Sequence, residues 1–252
     1  MVDSLAAIVL AAGAGSRLRP LTRFLPKPLC PVGGSTLLDG NLERVAALVG
    51  SGPERVAVNV HHHADLLARH VGDRAHLSVE QPEALGTAGA VAHLRPWLDG
   101  RPALVVNGDT WSTIDLAPLV DDWDGHRVRV LVVGPPRLQD GVGILGSLLP
   151  AEVVAGLPHR PAGLYEACWR PLQADGRLEV VGAEGAFVPC DRPRDYLAAN
   201  LLASGGASVV GAGAVVEGQL VRSVVWPGGV VAAEEVLVDA IRIGRTTTVR
   251  VR

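Results

Sequence analysis

An apolar run that opens straight onto a bare glycine loop and two fixed cations constrains this chain more than any other feature. Residues 5–10 are uniformly apolar and read as a buried first strand. The chain then runs through Ala11, Ala12, Gly13, Ala14, Gly15 and Ser16 to Arg17. Glycines after a strand leave backbone N–H groups with no side chain in the way, and such amides close readily on phosphate oxygens. Arg17 offers a planar fork for a terminal phosphate, and Lys27 a compact point charge for another. Pro26 and Pro28 restrict the backbone on either side of Lys27, so its ammonium is aimed. Together these residues predict a polyphosphate site of the kind a nucleoside triphosphate fills.

Two better-known phosphate loops do not fit. The dinucleotide fingerprint needs a third glycine three residues after the second, where Leu18 stands, and the Gly-Lys-Ser/Thr loop is not present in this segment. The pattern around the loop is nevertheless α/β. Strands are expected at 6–10, 56–60, 77–80, 103–107 and 128–133, separated by helices at 36–49, 64–71, 87–94 and 116–123. Such alternation implies a mostly parallel sheet covered by helices on both faces, with ligands bound beyond the carboxyl ends of the strands. The glycine loop follows one strand end and Asp109 another. The pattern weakens over 134–192, where a short helix is expected at 151–157, and a helix entered through Pro193 is expected at 194–204.

Two further clusters carry candidate chemistry. Asp109 lies just past a strand end, next to the permissive Gly108, and suits a hard cation that bridges phosphates. In Glu80-Gln81-Pro82-Glu83-Ala84-Leu85-Gly86-Thr87, the Gln81 amide carries both a donor and an acceptor for a base edge. Gly86 leaves room for a flat base or ribose, and Thr87 is placed to cap the next helix. His61, His62 and His63 leave a strand in different directions, poor geometry for a single metal ion. The five tryptophans are spaced too irregularly for a stacking platform and read as packing residues.

A net charge of −3 argues against a nucleic-acid or anionic-membrane partner, and 48% hydrophobic residues allow a large core in a chain of 252. No apolar run approaches the roughly 20 residues that cross a bilayer. The strand pattern begins at once, so no leader is expected. Cys30, Cys168 and Cys190 lack paired spacing, which points to reduced thiols in the cytoplasm.

The segment 10–28 resembles the signature of the sugar-1-phosphate nucleotidyltransferases, the NDP-sugar pyrophosphorylases. Those enzymes carry Leu-Ala-Ala/Gly-Gly-x-Gly-Ser/Thr-Arg-Leu/Met-x-Pro-Leu-Thr followed by Pro-Lys-Pro, and each of those positions is matched here. Residues 80–89 resemble the family's Glu-Gln-Pro-x-x-Leu-Gly-Thr-Ala-Gly element. The resemblance implies a Rossmann-like nucleotidyltransferase domain over 1–204. Its implied reaction joins a nucleoside triphosphate and a sugar 1-phosphate into an NDP-sugar, releasing pyrophosphate. It implies that Leu10, Ala11, Ala12, Gly13, Gly15, Ser16, Arg17, Gln81, Gly86 and Thr87 bind the nucleotide, that Arg17, Lys27 and Asp109 are catalytic, and that Mg²⁺ sits on Asp109. Asn59 or His61 falls where relatives border the sugar pocket.

Two positions depart from the family pattern. Where relatives carry a second metal aspartate, register on Pro193 places Pro189; Asp191 lies two residues on and, by strand alternation, is the expected substitute. Relatives also hold the sugar phosphate with a lysine in a Glu-Lys-Pro segment, whereas Lys27 is the sole lysine of this chain, leaving Arg137 or Arg160 as candidates. These departures frame a rival expectation, a nucleotide or nucleotide-sugar binding or regulatory protein on the same fold. From 205 to 252, small-residue turns separate short apolar strands at a spacing near six residues. That texture suggests a parallel β-helix, in the family's left-handed hexapeptide form. With so few coils, the tail is expected to pack on the main domain or on another subunit, the latter making a homo-oligomer.

Overall fold

The computed structural model describes residues 5–251. They form two compact units: one takes in the chain up to Ala14, Leu38–Asp109 and Thr113–Phe187, and the other Gly15–Leu37, Thr110–Ser112 and Val188 onward.

The first unit is built on a seven-stranded sheet. Its strands are β1 (Ala6–Leu10), β2 (Val56–Val60), β3 (His76–Val79), β4 (Ala103–Asn107), β5 (Val128–Val133), β6 (Ile144–Leu149) and β7 (Leu178–Ala183). They lie in the order β7-β5-β6-β4-β1-β2-β3, all neighbours parallel except β6, which runs antiparallel to both β4 and β5. The expected strands are all present, the third ending one residue early. The helices α1 (Leu37–Val49), α2 (Ala64–Val71) and α3 (Gly86–His93) fall within one residue of their expected bounds. The helix expected at 116–123 shrinks to the single turn Ala117–Val120, with Pro118 near its start. α4 (Ala151–Gly156) matches its pattern.

β6, β7 and a helical stretch from Tyr165 to Ala174 were not legible. Gly146 and Ser147 interrupt the apolar run of β6, and Gly182 that of β7. Both glycines have packing reasons: a Cβ at Gly146 would lie 3.0 Å from Val105 O, and one at Gly182 would strike Gly134 O. The core of this unit gathers Ile8, Val91, Leu94, Leu98, Val105, Val130 and Leu149, among others, across the sheet.

The second unit holds a tight hairpin, Pro31–Val32 with Ser35–Thr36, and α5 (Pro193–Ala203). Short strands follow: β8 (Val209–Val210), β9 (Val215–Val216), β10 (Gln219–Val221), β11 (Val224–Val225), β12 (Val230–Val231), β13 (Val236–Val238) and β14 (Ala240–Ile243). β8, β11 and β14 stack in parallel, as do β9 on β12 and β10 on β13. β15 (Thr247–Arg250) closes antiparallel on β14. Tyr196, Trp226, Leu18, Leu21, Cys30 and Ile241 are buried together, and the Trp226 Nε1–H donates to the Tyr196 hydroxyl at 2.9 Å. Cys30 and Cys190 here, like Cys168 of the first unit, are buried thiols outside any disulfide.

Candidate functional site

The sheet register sets one row of residues at the carboxyl ends of its central strands. Leu10 of β1 lies opposite Asn59 of β2 and Asn107 of β4, and Asn59 lies opposite Ser78 of β3. Loops leaving this row are stitched together by hydrogen bonds. The Gly108 amide donates to Leu10 O at 2.8 Å, so the turn that carries Asp109 hangs on β1. A Cβ at Gly108 would lie 2.9 Å from the Val9 side chain and 3.0 Å from Leu10 O, so this turn tolerates only glycine without adjustment.

Asn59 and Glu80 form a buried clasp on the other side of β1. Ala11 N donates to Asn59 Oδ1 at 2.8 Å, Asn59 Nδ2 donates to Glu80 Oε1 at 2.7 Å, and Leu85 N donates to Glu80 Oε2 at 2.7 Å. Both side chains are buried, Glu80 to 1% exposure. Two acceptors therefore fix the start of the glycine loop and the 80–87 loop to one strand end, and buried groups of this kind are costly to leave unpaired. Sequence reading placed Asn59 near the substrate and gave Glu80 no role. The one available signal was an asparagine amid valines at a strand end, 21 residues before the acid that follows β3.

A pocket of about 210 Å³ opens over this row, lined by Leu10, Ala12, Gly13, Asn59, Ala84, Gly86, Thr87, Asn107 and Asp109. Mostly apolar walls with a few polar groups suit a flat organic ligand. Gly13 has open space where a Cβ would point. Gly86 adopts φ +67°, and its absent Cβ would lie 2.6 Å from Ala162 O, so its identity answers to backbone packing as well as to ligand room. The Thr87 hydroxyl does not cap α3, whose first turn has no side-chain cap. Instead it accepts the Leu164 amide at 2.7 Å, tying α3 to the loop before the Tyr165 helix. Gln81 is exposed and lines a second, open depression with His61, Ala64, Val79, Glu80 and Pro82. His61 Nδ1 lies 2.9 Å from Glu80 O. Burial first, then its two histidine neighbours, hold the His62 pKa below the ordinary imidazole value. Arg137 and Arg160 are exposed, and neither is among the lining residues of the 210 Å³ pocket.

In the second unit the remaining loop residues surround an ion-paired triad. Gly15 is left-handed at φ +59°, and a Cβ there would lie 3.0 Å from both Lys27 Cβ and Thr22 Cγ2. Thr22 Oγ1 donates to Gly15 O at 3.1 Å, locking the loop onto the turn that follows. Ser16–Leu18 and Lys27–Leu29 are single 3₁₀ turns, the second flanked by Pro26 and carrying Pro28 inside it. The Lys27 side chain is 5% exposed and its Nζ donates to Asp191 Oδ1 at 2.8 Å. Arg17, 70% exposed, reaches the other oxygen of the same carboxylate at 3.1 Å. Asp191 follows Cys190, whose φ of +50° is uncommon for a residue with a side chain. α5 begins two residues later, with Arg192 N donating to Asp195 Oδ2 at 3.0 Å. Burial pushes the Cys30 thiol up to about 12, the nearby Cys190 adding to this and Lys27 opposing it.

Chemically, Lys27 and Arg17 form a dense positive locus that presently holds a carboxylate, and a phosphate offers the same geometry with more oxygens. For a divalent ion, Asp109 and Asn107 supply hard oxygen atoms along the pocket, which suits Mg²⁺. Each Asp191 oxygen is engaged by one cation and keeps lone-pair capacity for another partner. Among the described residues no group of three or more His, Cys, Asp or Glu is arranged to hold a metal. Mg²⁺ needs no such cage, since it is commonly held by one or two carboxylates together with substrate phosphates.

The family model described as "Nucleotidyl transferase" matches residues 6–139. The chain is 32% identical over 235 residues to an N-acetylmuramate alpha-1-phosphate uridylyltransferase of Caulobacter vibrioides, covering 77% of this chain and 95% of that protein. It is 36% identical over 140 residues to a mannose-1-phosphate guanylyltransferase of Mycobacterium tuberculosis, covering 52% and 38%. Among solved structures, a mannose-1-phosphate geranyltransferase from Thermus thermophilus superposes with a TM-score of 0.71 at 22% identity, over 98% of this chain and 95% of that one. At that identity the likeness concerns the fold.

Proposed function

We propose a division of labour for this chain from a plain premise: it belongs to the nucleotidyl transferase family and moves a nucleotidyl group from a nucleoside triphosphate to a sugar 1-phosphate, releasing pyrophosphate. The sugar phosphate oxygen attacks the α-phosphorus in line, and pyrophosphate leaves from the opposite side. No covalent enzyme intermediate is needed, and catalysis is chiefly positioning and charge stabilisation. Backbone amides at Gly13 and Gly15, with Ser16, take the phosphate oxygens, and Arg17 takes the β- and γ-phosphates. Lys27 neutralises charge that grows on the α-phosphoryl group. The backbone from Leu10 to Ala12, with Gly86, Thr87 and Gln81, receives the nucleoside.

Asp109, with Asp191 substituting for the family's second aspartate, would hold Mg²⁺, which when bound supplies charge neutralisation across the phosphates. Asp191 then serves twice, as counterion to Arg17 and Lys27 and as metal ligand. The observation that carries these roles is the buried Lys27 ammonium held at 2.8 Å by Asp191, in the turn after a glycine loop.

The functional division runs 1–204 for transfer and 205–252 for an extension. The stacked parallel ladders of that extension fit a short left-handed β-helix. Its outward Val221, Val236 and Val238 are each more than 40% exposed, which supports self-association through this face. The reaction is assigned to the cytoplasm; no helix of the described residues is long and apolar enough to cross a membrane. A pyrophosphate-release assay over the common triphosphates and sugar 1-phosphates with Mg²⁺ tests the reading. Release with one pair supports it, whereas triphosphate binding without release from any pair contradicts it.

A further inference from the structure

We infer that Ser147 and Trp169 form a hydroxyl-reading annex of the pocket and select which sugar 1-phosphate the chain accepts; this rests on the transfer reading above. Behind the 210 Å³ pocket lies a cavity of about 30 Å³ that shares Leu10, Thr87 and Asn107 with it. Its remaining wall includes Ser147, Leu164 and Trp169, and none of Ala12, Gly13, Ala84 or Gly86 reaches it. The shared Leu10 and Asn107 stand at the carboxyl ends of β1 and β4, so the annex adjoins the pocket along this row, and Val105, Ile144, Gly146 and Ser147 extend it over β4 and β6.

Two residues of this wall each carry a buried polar atom without a partner. Ser147 Oγ and Trp169 Nε1 are both buried and find no hydrogen-bond partner among the described residues, and Ser147 is only 1% exposed. Ser147 lies mid-strand on β6, opposite Val105 on one side and Val130 on the other, in a stretch buried from Leu145 to Leu149. Packing there calls for an apolar side chain. Trp169 closes the π-helical turn Tyr165–Trp169, a local geometry that recurs at functional sites. Buried orphan donors cost stability, so two in one cavity call for a ligand group.

The chemistry of the two atoms specifies that group. An indole N–H only donates, whereas a serine hydroxyl donates or accepts. The occupant must offer an acceptor oxygen to Trp169 and exchange a hydrogen bond with Ser147. A cavity of this size, above the roughly 10–15 Å³ that a single water needs, has room for a hydroxyl. A ring hydroxyl of the sugar meets both demands, and no second lysine exists in the chain to take that side.

Trp169→Phe keeps the ring and deletes the donor, and Ser147→Ala deletes the hydroxyl. With the wild type's best substrate pair, KM for the sugar 1-phosphate rises about tenfold in Trp169→Phe and several-fold in Ser147→Ala, while KM for the triphosphate stays within about twofold. Ser147→Ala melts no lower than wild type, because it removes an orphan. Among deoxy sugar 1-phosphates, the one that wild type discriminates against and Trp169→Phe does not identifies the hydroxyl. Sugar KM unchanged within about twofold in both variants overturns the inference and leaves a cavity that holds one water only. Failure of the transfer reading looks different: wild type then releases no pyrophosphate from any pair. In that event calorimetry with the sugar 1-phosphates decides the annex. A tenfold loss of affinity in Trp169→Phe upholds it, and equal affinity or no binding to wild type overturns it.

Discussion

The Lys27–Asp191–Arg17 triad of one unit and the Asn59–Glu80 clasp of the other are both polar groups held near a loop, yet they are built on opposite principles. In the triad a carboxylate is shared between two side-chain cations, one buried and one 70% exposed. The Arg17–Asp191 pair, its cation in solvent, contributes little stability, whereas the buried Lys27 ammonium is costly to leave without a counterion. In the clasp, acceptors meet the backbone amides of Ala11 and Leu85 and an asparagine amide; the Ala11 and asparagine bonds are buried and the Leu85 bond partly so. Backbone amides have nowhere else to turn, so this arrangement is fixed. With the roles proposed above, the contrast separates the groups that would grip a ligand from those that hold the loops in register.

Breaking the triad should have the larger effect. Lys27→Ala removes the sole lysine and is expected to lower kcat for pyrophosphate release by about 10³-fold; a rate within a few-fold of wild type would end its catalytic assignment. Asp109→Ala is expected to cost about 10²-fold or more, with a raised Mg²⁺ requirement, read in the same assay at several metal concentrations. Asp191→Asn sharpens the comparison. As a counterion its loss leaves metal-free triphosphate binding unchanged or tighter, while as a metal ligand its loss lowers Mg²⁺-dependent turnover. The account predicts both together, and weaker metal-free binding would contradict the exchange idea.

Perturbing the clasp should act on register. Glu80→Gln turns one acceptor into a donor facing either Leu85 N–H or Asn59 Nδ2. This is expected to raise KM for the triphosphate by about tenfold with kcat within about threefold, from a penalty of roughly 1–3 kcal/mol. A loss confined to kcat would place Glu80 in the chemistry instead.

The smallest effect concerns Cys30, whose thiol is raised from 9.0 to about 12. The folded state keeps this thiol protonated where the unfolded chain loses its proton. Its contribution to stability is therefore complete below pH 9 and drains away as pH rises toward 12. Thiol labelling at pH 8 should leave it unmodified until the protein is unfolded.

The parts legible in the sequence were those where one residue type does one job. β1, β2, β4 and β5 are short apolar runs with clear ends, and Pro26-Lys27-Pro28 declares a fixed cation. β6 and β7 lack a clean apolar run because Gly146 and Gly182 answer to contacts with distant segments, which a local pattern does not reveal, and because Ser147 places a buried, unpartnered hydroxyl mid-strand. The position of Thr87 predicts a helix cap, but a long-range amide at Leu164 claims its hydroxyl. Glu80 sat inside a recognised motif with no role of its own, since its partners lie 21 residues upstream and five downstream. Contacts between segments far apart in the chain, steric at the glycines and polar at Thr87 and Glu80, are what a local pattern does not show.

Whether Lys27 and Arg17 hand their carboxylate over to a polyphosphate is best tested by titrating the protein with ATP, GTP, CTP, UTP and dTTP in a calorimeter, beside Lys27→Ala and Arg17→Ala. Saturable heat with at least one triphosphate, weakened about tenfold or more in each variant, is the predicted result. Silence with all five, or equal affinity in the variants, would contradict it.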